Sequence, residues 1–388
     1  VKNLIQGKTI LIVLGPGGVG KTTISAALGI AAAQAGFATG VITVDPARRL
    51  RDALGIRQLG ARARAVSAAR LSAAGLDPKL KIAALALDVK LAWDSLIERL
   101  LPEPDARARI LANPFYRNLT EHFAGAESYA ALEQLLVLYE SGEYSLQVVD
   151  TPPAEHVFDF IEAPGHLLRL LDSPTARWLA RLNEAGQAGG LRIANRAGRM
   201  VLEQLENAVG GRPLSSMADF LEAVARAREG IAERMRAAEA LIRSPQARFV
   251  LVTTPAEDRL EEAKAIAQRM KKEGLHLGAI AINRAVASYW PESAAAASQA
   301  ATETLREIEM IQRSVCGARK SSEQIEQMLE LVGARVREQS EALERIKRFS
   351  RAIGGRIPIV ALPEAASPVR DLKGLGKLAG RLRPLVSI

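Results

Sequence analysis

Six short apolar runs recur along the chain: TILIVL (9–14), TGVITV (39–44), SLQVVD (145–150), RFVLVT (248–253), LGAIAI (277–282) and RIPIVA (356–361). Each is continuous rather than alternating, the pattern of a strand covered on both faces. Long segments of helical spacing separate them. The alternation predicts an α/β fold with a doubly wound, mostly parallel sheet, whose ligands sit at the carboxyl ends of the strands.

Three stretches, about 78–140, 162–243 and 286–351, lie outside this alternation and read as helical insertions into a single domain spanning 1–388. The first is broken near LPEPD and ANPFY, and the second holds a Gly-rich interval, NEAGQAGGLRIANRAG. In the second, Leu214, Met217, Leu221, Val224, Ile231, Met235 and Ile242 keep helical spacing and form one apolar stripe. Ile325, Met328, Val332, Val336, Leu343 and Ile346 repeat that pattern in the third. A stripe of this kind either packs against a core or forms a groove for a partner.

The first strand runs into Gly15-Pro16-Gly17-Gly18-Val19-Gly20-Lys21-Thr22-Thr23, which satisfies the G-x-x-x-x-G-K-[ST] pattern just before the helix TTISAALGI. Glycines let backbone N–H groups wrap phosphates with no Cβ in the way, and the helix N-terminus adds a favourable dipole. Lys21 can reach the β- and γ-phosphates, and the Thr22 hydroxyl can ligate Mg²⁺. The fold is therefore expected to be of the P-loop NTPase type, with ATP and Mg²⁺ as ligands. Two aspartates follow strand ends, Asp45 in ITVDPARRL and Asp150 in LQVVDTPPAEH. One carboxylate near the γ-phosphate can orient the attacking water, and another can hold Mg²⁺ directly or through water. A second Gly-Lys-Thr loop does not occur, so the chain is not a tandem duplication.

Composition narrows the partners. Hydrophobic residues make up 48% and charged residues 24%, ordinary for a soluble protein with a sizeable core. The net charge of +9 raises nucleic acid or anionic lipid as partners. The arginines are scattered along predicted helices without interleaved aromatics, so they read as solvated faces, and membrane contact is expected to be peripheral at most. Cys316 is the single cysteine, which rules out a disulfide within the chain and points to a cytoplasmic setting. No apolar run approaches the roughly 18 residues of a membrane span. VKNLIQGKT shows no signal-peptide pattern, because strand and loop begin almost at once. His122, His156, His166 and His276 show no metal-ligand spacing and are expected to be structural or surface residues.

The motifs in order resemble the ArsA-type anion-transporting ATPases, which include the ATPase that delivers tail-anchored membrane proteins. Beyond GPGGVGKTT, the resemblance rests on VDPARRLRDALG, LSAAGLDP, AGAESYAALEQLLVLYESGEYSLQVVDTPPAEH, VLVTTPAEDRLEEAKAIAQRM, AINRA and IPIVALPEAASPV. It covers 1 to about 285 and again about 340 to 375. By resemblance, Asp45 in switch I positions the hydrolytic water, and Asp150 opens switch II to sense Mg²⁺ and the γ-phosphate. Asn283 matches the family's adenine-reading asparagine, an amide able to donate and accept toward the base edge. Pro363 falls in the loop that closes over the adenine ring.

Three departures matter. The family's loop carries a lysine at the place of Pro16 that reaches a neighbour's phosphates across a dimer; proline offers neither the charge nor an N–H. Arg48 and Arg49 stand where the family has His and Ser, and either could supply charge to a transition state. A heterodimer with a paralogue that supplies the lysine is the other solution. Cys316 alone provides neither the soft-thiolate cluster arsenite needs nor a zinc-bridging Cys-x-x-Cys.

The expected function is a slow, Mg-dependent ATPase, a homodimer or heterodimer whose loops switch between ATP and ADP states to act on a client such as a hydrophobic protein. Alternatives are the energising subunit of an arsenite or anion pump, a MinD/ParA-like positioning ATPase, and a nucleotide-binding protein with little turnover.

Overall fold

The computed structural model of the protein describes residues 9–44, 63–114, 125–151, 154–171, 213–285, 340–354, 357–364 and 371–386, with isolated positions 4, 5, 7, 50, 54, 56, 116, 117, 120, 334, 338 and 369. Its first strand, β1 (Ile10–Leu14), shows why the apolar runs are continuous. Ile10, Ile12 and Leu14 enter one hydrophobic cluster, while Leu11 and Val13 enter a second on the opposite face. Both faces are dry, so neither parity of position can be polar.

The remaining strands are β2 (Thr39–Thr43), β3 (Arg64–Ala65), β4 (Ile82–Ala86), β5 (Leu146–Asp150), β6 (Ala247–Thr253), β7 (Leu277–Ala285) and β8 (Ile359–Pro363). Among the described residues they form one eight-stranded sheet in the order β3-β4-β2-β5-β1-β6-β7-β8. Every pairing is parallel except that of β3 with β4. All six runs singled out in the sequence are strands of this sheet, and the doubly wound α/β expectation holds.

One expectation needs correcting. The stretch about 78–140 is not helical from its start, because Ile82–Ala86 (IAALA) is β4, paired with β2. Alanine favours helix in isolation, but this run is buried between sheet neighbours and helices, and tertiary burial overrides a propensity of a few tenths of a kcal/mol. The helices of that stretch begin at Val89.

The helices divide between the two faces. α1 (Lys21–Gln34), α2 (Ala68–Ala73) and α9 (Leu372–Val386) contribute to one cluster. α1 is buried around most of its circumference because α9 packs Leu372, Leu375, Ala379 and Leu382 onto that layer. The other face carries α3 (Val89–Leu100), α4 (Pro104–Leu111), α5 (Ala126–Ser141), α6 (Ala154–Leu171), α7 (Pro213–Arg243), α8 (Glu257–Lys272) and the helical segment 340–352.

The α7 stripe is partly explained by this packing. Ile231, Met235 and Ile242 are buried in the main cluster with Phe158 and Ile161 of α6, so the second half of the stripe is core. The side chains of Leu214, Met217 and Leu221 lie outside the described residues, as do Ile325, Met328, Val332, Val336 and Cys316.

A buried carboxylate ties α7 to the layer beneath it. Glu133 of α5, only 3% exposed, accepts from Arg234 Nε of α7 at 2.7 and 2.6 Å and from Arg99 Nη1 of α3 at 2.9 Å. Arg234 also reaches Glu140 at 3.1 Å. Removing one member of such a set leaves buried charge poorly compensated. Arg234→Met is expected to cost about 3 kcal/mol in urea unfolding, the low end for a broken buried pair because Arg99 remains. A loss within ~0.5 kcal/mol would show that the exposed part of the network is screened.

Candidate functional site

Six neighbouring strands end at one edge, and their last residues supply the site. β1 ends at Leu14 and the chain turns through Gly15–Gly20 into α1. Gly15 has φ 152°, and a Cβ there would stand 2.0 Å from the Val252 carbonyl oxygen of β6. Gly20 has φ 93°, and its Cβ would meet the Asn283 Nδ2 at 2.4 Å. The protein itself therefore demands glycine at both positions.

Gly17 is different. It has no left-handed φ, is exposed, and a Cβ there would meet nothing within 4 Å. The fold does not need glycine at this position; a ligand approaching the backbone would. Gly17→Ala is expected to leave thermal stability unchanged or slightly raised and to weaken Mg-ATP binding at least tenfold. Gly15→Ala should cost about 3 kcal/mol or more in stability, from overpacking combined with an unfavourable φ. Equal nucleotide affinity in Gly17→Ala and the parent would remove the ligand from this part of the loop.

Lys21 opens α1, and no side chain caps that helix at Gly20. Its first-turn N–H groups thus face the loop with the positive end of the helix dipole. The Lys21 ammonium is 8% exposed and donates to the carbonyls of Gly15 and Pro16, both at 3.0 Å. Pro16 is itself buried, its carbonyl held by Lys21, so this position faces into the loop. Val19 is buried in the α1-side cluster and anchors the loop from beneath.

Asp150, the last residue of β5, pairs in register with Val13 of β1 and Thr43 of β2. Its carboxylate is 1% exposed and accepts from Ser25 Oγ and Thr43 Oγ1, each at 3.2 Å. Thr22 also hydrogen-bonds to it. Burial pushes the carboxyl up from its ordinary 3.8 to about 6, and the hydroxyls of Thr22, Thr43 and Ser25 with the charge of Lys21 oppose that rise only in part. A hard, oxygen-only donor set of carboxylate and hydroxyl suits Mg²⁺, which takes few protein ligands and leaves the rest to phosphate and water.

Asn283 lies near the end of β7, where the register with β8 shifts between Ile282 and Ala285. The next residue, Arg284, has φ 53°, in the left-handed region a non-glycine residue rarely occupies. A bulge of this kind re-aims side chains at a strand end. Here the Asn283 amide donates from Nδ2 to the Val19 carbonyl at 2.8 Å, so it braces the phosphate loop. Pro363 ends β8 opposite Ala285, two residues from Asn283, with Glu364 N bonded to the Ala285 carbonyl at 2.9 Å.

The structure thus brings together Lys21, Thr22, Asp150, Asn283 and, at the adjoining strand end, Pro363. Thr23 follows on the first turn of α1. Asp45, Arg48 and Arg49 lie outside the described residues, as does the side chain of His156. Sequence reasoning missed Ser25 and Thr43 as partners of Asp150. Ser25 could have been found, since it stands one helical turn after Lys21 and faces the same way. The bond from Asn283 to the loop had no signal in the sequence.

The sequence is similar to known proteins. The family model described as anion-transporting ATPase matches residues 8–314. The ATPase GET3 of Malassezia globosa is 30% identical over 174 residues, 44% of this chain and 47% of that protein. The ATPase get3 of Aspergillus terreus is 30% identical over 198 residues, 49% and 55% of the two chains. A putative arsenical pump-driving ATPase of Halobacterium salinarum is 30% identical over 170 residues, 43% of this chain and 26% of that protein. The alignments span about half of the fungal relatives and a quarter of the archaeal one. No helix among the described residues is long and apolar enough to cross a membrane.

Proposed function

Because the chain belongs to the anion-transporting ATPase family, its residues 8–314 matching that family's model, we propose that it hydrolyses ATP to ADP and phosphate and uses the change of state to act on a partner. The observation that carries this reading is the pairing of a buried Lys21 ammonium inside a glycine turn with a buried Asp150 carboxylate at the end of the neighbouring strand. Such an arrangement concentrates one positive and one negative charge where a metal-bound triphosphate needs both.

Lys21 binds and orients the β- and γ-phosphates, exchanging its loop carbonyls for phosphate oxygens. Thr22 and Asp150 would hold Mg²⁺, which when bound supplies positive charge to the phosphate oxygens. Asn283, braced on Val19, offers its carbonyl oxygen to the adenine amine, and Pro363 lies along the ring. Asp45 orients the attacking water.

Pro16 bears on the rate. It is buried and uncharged, so no lysine from this loop reaches a neighbouring subunit, and turnover is slow unless Arg48, Arg49 or a paralogue supplies the charge. The dimer is read from the family's loop, whose missing lysine acts between subunits. A client-handling role is favoured over arsenite pumping, because a chain with one cysteine cannot assemble a cluster of soft thiolates.

Steady-state hydrolysis measured beside native mass, in ADP and in a non-hydrolysable ATP analogue, tests this reading. Magnesium-dependent turnover with a doubled mass in the analogue is expected. Tight binding with no turnover in any magnesium concentration would leave a nucleotide-binding module and overturn the enzyme.

A further inference from the structure

At the opposite edge of the sheet from the phosphate loop, α8, the start of β7 and the end of the helical segment 340–352 line an open cavity of about 610 Å³. Its floor is apolar: Leu275 is buried, and Leu277, Ile353 and Ile357 are half-buried and packed on the main core. Its rim carries Lys271, His276 and Arg351, all exposed, and no carboxylate lines it among the described residues. None of the three side chains makes an ion pair or hydrogen bond with another described residue, although the charge of Arg351 helps to lower the Glu344 carboxyl. Acids nearby are engaged elsewhere, Glu273 with Arg269 and Glu344 with Lys347.

The helix dipole explains part of this. Lys271 is in the last turn of α8 and Arg351 in that of 340–352, where cations are favoured. It does not explain an open apolar floor between them, since a fold normally closes such surface over its core. The combination selects a ligand with a greasy body and one anionic end. A sugar phosphate would leave the floor wet, and a neutral lipid would leave the cations unanswered.

We propose that this cavity binds a long-chain carboxylate, with the alkyl tail on Leu275, Leu277, Ile353 and Ile357 and the head group between Lys271 and Arg351. The volume lies within the ~300–1,000 Å³ of small-molecule sites. At about 30 Å³ for a water-sized group it holds on the order of twenty heavy atoms, which a saturated chain of about 14–18 carbons fills. Lys271 and Arg351 give the carboxylate charge-assisted hydrogen bonds, and His276 completes the polar rim. The site is independent of the nucleotide reading, lying at the amino-terminal end of β7 while Asn283 lies near its carboxyl end.

Isothermal calorimetry on the full chain tests it, with tetradecanoate, octanoate and tetradecyl phosphate titrated below their aggregation concentrations. Tetradecanoate is expected to bind one site saturably, at least tenfold more tightly than octanoate and more tightly than the phosphate. Lys271→Ala combined with Arg351→Ala should weaken tetradecanoate at least tenfold. Both residues are exposed, so the double variant is expected to melt like the parent and to bind Mg-ATP like it. Undiminished tetradecanoate binding in that variant would place the ligand on another apolar surface and overturn the assignment. So would absence of saturable binding, preference for the alkyl phosphate, or equal affinity for octanoate.

Discussion

Lys21→Met is expected to reduce kcat/KM for ATP hydrolysis by about 10³-fold, the loss typical of removing one preorganised charge from a phosphoryl-transfer site. The side chain is almost enclosed, and its ammonium already sits within the loop on the Gly15 and Pro16 carbonyls. Nothing else described in the loop carries positive charge, because Pro16 stands where the family has a second lysine. Methionine keeps the length and apolar stem, so the fold should survive, with melting within a few degrees of the parent. The measurement is steady-state turnover against ATP concentration with magnesium in excess. A variant that keeps more than a tenth of the parental kcat/KM would show that another cation carries the transition state.

Asp150→Asn should show opposite effects on function and stability. The carboxyl is raised from 3.8 to about 6 by burial. A raised carboxyl favours the protonated form in the fold, so its contribution to stability is fully present below pH 3.8 and is lost as pH rises through about 6. At 1.36 kcal/mol per pH unit that difference amounts to about 3 kcal/mol once the group is ionised. The asparagine variant carries no such charge. Without nucleotide it should be about 2 kcal/mol more stable than the parent at pH 8, and no more stable at pH 4. Magnesium-dependent turnover should fall by about 10²-fold or more, because the amide cannot stand in for the carboxylate. Parental kcat/KM, which reports the free enzyme, should fall as pH drops below about 6, when Asp150 takes up its proton. Urea unfolding at the two pH values gives the first result, and a variant less stable at both would contradict it.

That opposition has a simple origin. A buried charge with three hydroxyl partners and one lysine is incompletely compensated, a cost that the proposed Mg²⁺ site accounts for.

Much of this architecture was legible in the residues. β1, β5, β6 and β7 are continuous apolar runs because both faces of the central sheet are covered, and that pattern has few other solutions. The phosphate loop was legible because its glycines answer steric demands: the Val252 carbonyl leaves no room beside Gly15. β4 was hidden because IAALA has the composition of a helix, and only its neighbours make it a strand. β3, two exposed residues on an edge, carried no periodic signal at all. Lys21, Thr22 and Asp150 were assigned from motif and strand ends, and their proximity follows from parallel strands ending at one edge. The bond from Asn283 to Val19 depends on a bulge beside Arg284 that no pattern of residue types announces.

Titration of Mg-ATP into the folded full chain, followed by calorimetry, is the most direct test that this loop holds an adenine nucleotide. One saturable site in the micromolar range, lost in Lys21→Met and weakened at least tenfold in Gly17→Ala, is the predicted result. No binding heat from a parent that melts cooperatively, or the same isotherm in all three proteins, would contradict it.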